Sequence, residues 1–242
     1  MERIFTQKGL ITMTFQKATK TNSKLRLAIT GTAGSGKTYG ALLIAQGLGG
    51  NIAMIDTENG SGNVYADLCD YDICNLSAPY DPRRYVQCIR EAEQAGYNVI
   101  IIDSISHEWN GEGGCLDLHT KESAGGKNSF AAWAKVTPLH NFFLQAILAS
   151  SCHIIATIRS KADYIINDNR QVQKVGIAPI QRDGVEFEFG TVFDVNDKHL
   201  AIVSKDRTRL FPDTPFKITP DIGAKLRLWL NNDSNNNKGG EA

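Results

Sequence analysis

The sequence predicts an α/β fold, a mainly parallel sheet flanked by helices with a C-terminal β-hairpin, on three observations. From residue 24 onward, short apolar runs bounded by turn residues alternate with longer stretches of helical periodicity, the pattern of parallel strands buried on both faces. A glycine-rich loop, GTAGSGKT, joins the first apolar run to the first helical one. A further run, NVIIID, ends in a carboxylate. With 242 residues, 42% of them hydrophobic, the chain can bury one full-sized core.

Residues 1–21 are mixed and rich in Thr and Lys, and are read as an N-terminal arm with a short alternating run at 10–15. Strands are predicted at 25–30, 52–56, around 73–76, at 98–103 and at 153–157, with helices at 37–47, 82–95 and 130–150. Segments 184–195 and 199–204 read as the hairpin and 221–230 as a closing helix. The core is thus expected to span 22–230. Residues 231–242, NNDSNNNKGGEA, are too polar to repay the entropy of ordering and are expected to be a tail.

Basic and acidic residues balance at 26 each, so any nucleic-acid partner must be held by local patches and not by bulk charge. The five cysteines form no CxxC pair, which argues for reduced thiols and a cytoplasmic protein. Neither a signal peptide nor a membrane span is readable.

The loop 31–38 matches the phosphate-binding P-loop pattern in full, between an apolar strand and an Ala/Leu-rich helix. Gly31, Gly34 and Gly36 let the backbone curl so that amides point at phosphate oxygens, aided by the positive end of the following helix. Thr32, Ala33, Ser35 and the following Tyr39 complete the nucleotide-binding set. Lys37 is predicted to contact the terminal phosphates and Thr38 to offer its hydroxyl to Mg2+. Asp103, closing NVIIID, is the predicted acid on the metal side. For activating water, the candidates are Glu58, Glu108, Glu112 and His107. Glu58 is favoured because it follows the strand IAMID and so emerges at the carboxyl edge, where ligands of open α/β sheets gather.

These segments, in order GTAGSGKT, IDTENGSG, VIIIDSISHEWNGEGGCLD, HIIATIRSKADY, QRDGVEFEF and IVSKDRTRLF, resemble the RecA-like ATPases encoded by bacteriophages, including Sak-type single-strand-annealing recombination proteins. The resemblance implies a RecA-like P-loop core and again puts water activation on Glu58. It implies DNA-facing loops at about 111–129 and 162–184, and a sensor role for Thr157, which stands where RecA carries an amide. It also implies that Lys205 and Arg207 reach the nucleotide of a neighbouring protomer. Phe15 and Ala18 match the Phe-x-x-Ala spacing by which such recombinases dock on one another.

Arg159, Lys161, Arg170, Lys174 and Arg182 cluster in sequence beside the second implied loop and are the predicted DNA contacts, with Tyr164 available for stacking. Cys115 and His119 are spaced for one helix face, yet with His107 they make a poor zinc set because no second close pair exists. Ser104 lacks the glycines of a nucleophile elbow. Trp109, Trp133, Phe142 and Phe143 are expected to pack the core. The reading is an ATPase using ATP and Mg2+ that assembles as a filament or ring on single-stranded DNA in phage recombination inside a bacterial host cell. A single-strand-binding protein is a further candidate partner. A DnaB-like motor, a small-molecule kinase and a nucleotide-dependent loading switch are the alternatives.

Overall fold

The computed structural model describes residues 23–126, 128–166 and 172–231, and for 162–166 and 172–177 the backbone alone. The predicted arm, the tail beyond Asn231 and Arg170 lie outside the described residues, and the Tyr164 and Lys174 side chains are not described. In chain order the elements are β1 (Arg26–Gly31), α1 (Lys37–Leu48), β2 (Ile52–Asp56), β3 (Asp72–Asn75), α2 (Pro82–Gln94), β4 (Val99–Asp103), α3 (Ser106–Asn110), α4 (Cys115–Ser123) and α5 (Ser129–Ala149). They continue with β5 (His153–Ile166), β6 (Val172–Pro179), β7 (Thr191–Val195), β8 (Leu200–Asp206), β9 (Phe216–Lys217) and α6 (Pro220–Asn231).

The sheet runs β3-β2-β4-β5-β1-β7-β8-β9, with β6 paired to the outer part of β5. The six strands from β3 to β7 are mutually parallel, and β8 and β9 add on antiparallel. This is a RecA-like α/β P-loop fold, as the sequence predicts. Both faces are covered, which is why strands such as VIIID are apolar throughout: Val99 and Ile101 pack on the face of α1 and α6, Ile100 and Ile102 on the face of α2 and α5. Burying each such side chain stabilises the fold by about 1.5–3 kcal/mol. On the first face α1 and α6 touch backbone to backbone. A Cβ on Gly47 would fall on the Pro220 carbonyl, and one on Gly223 on the Ile44 carbonyl. On the other face, Asp81 caps α2 by accepting from the Arg83 amide at 2.9 Å, with Pro82 preset for the first turn.

The differences from expectation have local causes. β5 is predicted to stop at 157 but runs on to Ile166, because its outer half leaves the sheet and pairs with β6 alone. That half carries charge instead of an apolar run, so burial leaves no signature there. The predicted strand 184–195 is instead a 3-10 turn at Val185–Glu188 followed by β7. β7 also pairs in parallel with β1, so the hairpin is a continuation of the core sheet.

His153 opens β5 and shows how tightly the strand starts are specified. Its Nδ1 accepts from the Leu25 amide at 3.0 Å, and burial, with Lys24 and Arg26 nearby, pushes its pKa down to about 4. The unfolded chain therefore binds a proton that the folded one refuses between pH 6.5 and 4, and stability falls as pH drops through that window. About 2 kcal/mol is expected to be lost, allowing for partial exposure. Urea titrations across that window should show a shallower slope for His153→Gln than for the wild type, and an unchanged slope would sink the assignment.

Candidate active site

The parallel register brings the carboxyl ends of β1, β2, β4 and β5 together: Gly31 lies opposite Arg159, and Asp56 opposite Asp103. The P-loop leaves β1 at this edge. A Cβ on Gly31 would come within 2.6 Å of the Val195 carbonyl oxygen, so only glycine fits there. Gly36 takes φ +95° as the chain enters α1, a conformation that favours glycine. Lys37 is 9% exposed, and its Nζ donates to the Thr32 carbonyl at 2.8 Å across the loop. Burial lowers its pKa, opposed by the charges of Asp103 and Glu58.

Asp103 is 2% exposed and accepts on both oxygens. Thr38 Oγ1 donates to Oδ2 at 2.6 Å, and Thr157 Oγ1 donates to Oδ1. Burial pushes its pKa up, with the two hydroxyls and the neighbouring acids acting in opposite directions. A buried carboxylate beside a threonine hydroxyl is a hard-oxygen donor set that suits Mg2+, and a cation there would offset the desolvation. The residues present therefore fit the ion.

Glu58 is set by the turn after β2. Asp56 accepts from the Glu58 amide at 2.5 Å and the Gly62 amide at 3.0 Å, bending the chain back to the sheet edge. Ser104 Oγ donates to Glu58 Oε1 at 3.1 Å. Arg159 clamps the same carboxylate with two bonds, Nε at 2.6 Å and a second through Nη2. Burial works to raise the Glu58 pKa, but the Arg159 hydrogen bond and charge outweigh it and hold it below the usual carboxylate range. The other candidates are engaged elsewhere. Glu108 is fully buried against Cys115, His140 and Gln181. Glu112 is exposed. His107 stacks on Tyr80 and meets Thr57 Oγ1 at 2.8 Å.

A cavity of about 780 Å3 opens beside the loop, lined by Gly34 through Tyr39 on one side and by Tyr65, Lys198, His199 and Lys217 on the other. His199 Nδ1 lies 2.9 Å from the Ser35 carbonyl oxygen, tying the β7–β8 turn to the P-loop. Sequence reasoning missed this wall, since nothing local marks β7 as the neighbour of β1 that sets its turn beside the P-loop. His107, Cys115 and His119, already a poor zinc set by spacing, do not converge: Cys115 joins Glu108 and His140, whereas His119 stacks on Trp133.

A family model described as an AAA domain matches residues 23–201. The chain belongs to that family. The strands and loops of its AAA domain that carry Lys37, Thr38, Glu58, Asp103, Thr157 and Arg159 all lie within the matched span, and the P-loop is where domains of this family hold nucleotide. Among solved structures, that titled "Crystal structure of the RadB recombinase" aligns with 82% of this chain and 89% of its own, at 16% identity and a TM-score of 0.44. No curated protein matches the chain.

The remaining predicted residues lie apart from the loop. Lys205 is half-buried, donating to the Phe187 carbonyl at 2.6 Å and the Glu186 carbonyl at 3.3 Å, and Arg207 is exposed. Lys161 is exposed and Arg182 half-buried, both lining a second groove. No helix among the described residues is long and apolar enough to cross a membrane.

Proposed function

We propose that this AAA domain binds ATP with Mg2+, hydrolyses it, and couples turnover to single-stranded DNA in phage recombination, by annealing or strand pairing in a homo-oligomer. One observation carries the reading. Thr157, Arg159 and Lys161 are alternate residues of β5: the first donates to Asp103, the second clamps Glu58, and the third lines a groove outside the nucleotide site. A single strand thus joins the residues expected to sense the metal and the water to a surface expected to hold DNA. The ordered resemblance to Sak-type proteins supports the recombination assignment.

In this reading the amides of 34–38 and Lys37 hold the terminal phosphates, and Thr38 and Asp103 hold Mg2+, which when bound neutralises charge on the transferred phosphoryl group. Thr157 keeps Asp103 oriented and in its charged form. Glu58 is ionised at neutral pH and takes the proton of the attacking water once Arg159 lets it turn. Arg159 is therefore a positioning residue, and its release by DNA at Lys161 makes turnover DNA-dependent. The test is steady-state ATP hydrolysis with and without an oligo(dT), with Lys37→Ala as the blank. Stimulation is expected. Turnover indifferent to DNA, with a single-strand-binding protein also without effect, would shift the reading to a loading switch or a kinase.

The register supports an action of Lys205 and Arg207 on another protomer. Val195 and Ala201 lie level with Gly31, whereas Thr191 and Asp206 lie level with Leu27, at the opposite end of β1 from the P-loop. In this reading Lys205 and Arg207 would reach a neighbouring copy's nucleotide, where they would stabilise developing charge. A charge-assisted hydrogen bond of about 1.5–3 kcal/mol corresponds to a ten- to 150-fold loss for Lys205→Ala in concentrated protein. In dilute protein no loss is expected, and equal activity of the variant at every concentration would defeat the assignment.

A further inference from the structure

We infer that the groove between the helix α3–α5 tips and the end of β6 is a base-stacking cradle for single-stranded DNA, with Phe130 as its platform. The inference rests on the DNA-coupled reading above and adds to two of its predicted cations the aromatic residues Trp109, Phe130 and Trp133, to which the sequence gives no DNA role. The groove, of about 880 Å3, is walled by Trp109, Leu116, Phe130 and Trp133, with Lys161 and Arg182 supplying charge.

Four large apolar side chains meeting at one surface depart from packing economy. Phe130 is 87% exposed and Leu116 39% exposed, although single exposed apolar residues are ordinary and only their clustering signals a binding surface. Trp109 and Trp133 are stacked at 5.7 Å, and His119 also stacks on Trp133 at 4.2 Å. The tryptophans are therefore a fixed apolar wall and not the core residues that their composition suggests. Phe130 is presented on the first turn of α5, whose start is held by Asn128 accepting from the Phe130 amide at 2.9 Å. Its ring enters no described ring stack, so a base can lie against it.

The charges select the occupant. Neither Lys161 nor Arg182 enters an ion pair with a described residue, so both are available to phosphates. Asp183 lines the same groove, so the backbone is expected to follow the Lys161 and Arg182 side. Uncovered ring plus unpaired cations is the combination that holds single strands without sequence preference. A protein partner would be served by the apolar wall alone. Occupancy also has a route to the nucleotide, because Lys161 is two residues from the Arg159 that clamps Glu58.

The experiment uses the full chain with ATP and Mg2+, titrated with fluorescein-labelled oligo(dT) and read by anisotropy, with tryptophan emission followed in parallel. Two of the three tryptophans lie in the groove, so quenching on binding is expected. Phe130→Ala should weaken binding about five- to 150-fold, and Phe130→Tyr should restore it. Lys161→Ala and Arg182→Ala should each reduce the slope of log affinity against log salt by about one. Phe130 is exposed, so coincident melting curves are expected for wild type and variant. Wild-type binding equalled by Phe130→Ala, with the salt slope still reduced in Lys161→Ala, would overturn the cradle and leave the DNA-coupled reading standing. Absence of any oligo(dT) binding by the wild type at low salt would overturn both.

Discussion

Replacing Lys37 by alanine is expected to lower ATP turnover by at least about 10²–10³-fold, the loss seen when one preorganised donor is removed from a developing negative charge. The lysine is nearly buried at the start of α1, with Asp103 and Glu58 both close enough to raise its pKa against the effect of burial. It is the central cation of a site with two carboxylates. In the structure its ammonium is tied to the Thr32 carbonyl, a contact a phosphate oxygen can replace with a stronger charge-assisted one. Lys37→Arg should not rescue turnover, since the planar fork cannot follow the same path through the loop. Steady-state hydrolysis, with a fluorescent nucleotide to report binding separately, checks this. Turnover of Lys37→Ala within tenfold of wild type would remove the loop from the chemistry.

Most of the fold was legible because its signals are local. The strands of the parallel core are apolar on both faces, so β2 and β4 emerge from the sequence within a residue of their observed ends. The P-loop was legible because its mechanism demands particular residues at particular spacings. What was not legible depends on distant parts of the chain. The outer half of β5 is stabilised by pairing with β6, which no apolar run announces. α3 and α4 are short and half-exposed, and their helical period is too brief to read. Trp109 and Trp133 look like core residues by composition, and only the fold shows them stacked beside a groove. Asp103 was readable from its strand, but Thr157 was implied by resemblance as a sensor only, and the hydrogen bond joining it to Asp103 arises from β4 and β5 being neighbours. Likewise the position of Glu58 at the sheet edge was readable from the strand before it, while Arg159 was assigned to DNA. Its engagement with Glu58 follows from the Gly31–Arg159 register, which sequence alone does not supply.

That pairing sets the second large effect. Glu58→Gln is expected to lower turnover by about 10²–10⁴-fold, the span of a positioned general base, while nucleotide binding is retained, because the P-loop contacts are untouched. The amide still fills the space and can accept from Ser104, so the change isolates the proton-accepting role. Arg159→Ala separates clamp from base. The Arg159 hydrogen bond is the main influence holding the Glu58 pKa below the usual carboxylate range, so its removal raises that pKa. A base must be ionised to act, so the acid limb of the pH–rate profile moves to higher pH in Arg159→Ala, and activity is lost earlier as pH falls. If Arg159 also restrains Glu58, turnover without DNA rises in the same variant and DNA stimulation shrinks. A profile with an unmoved acid limb would mean that Glu58 is not the base. An acid limb that moves while DNA stimulation stays intact would keep Glu58 as the base and break the link through β5.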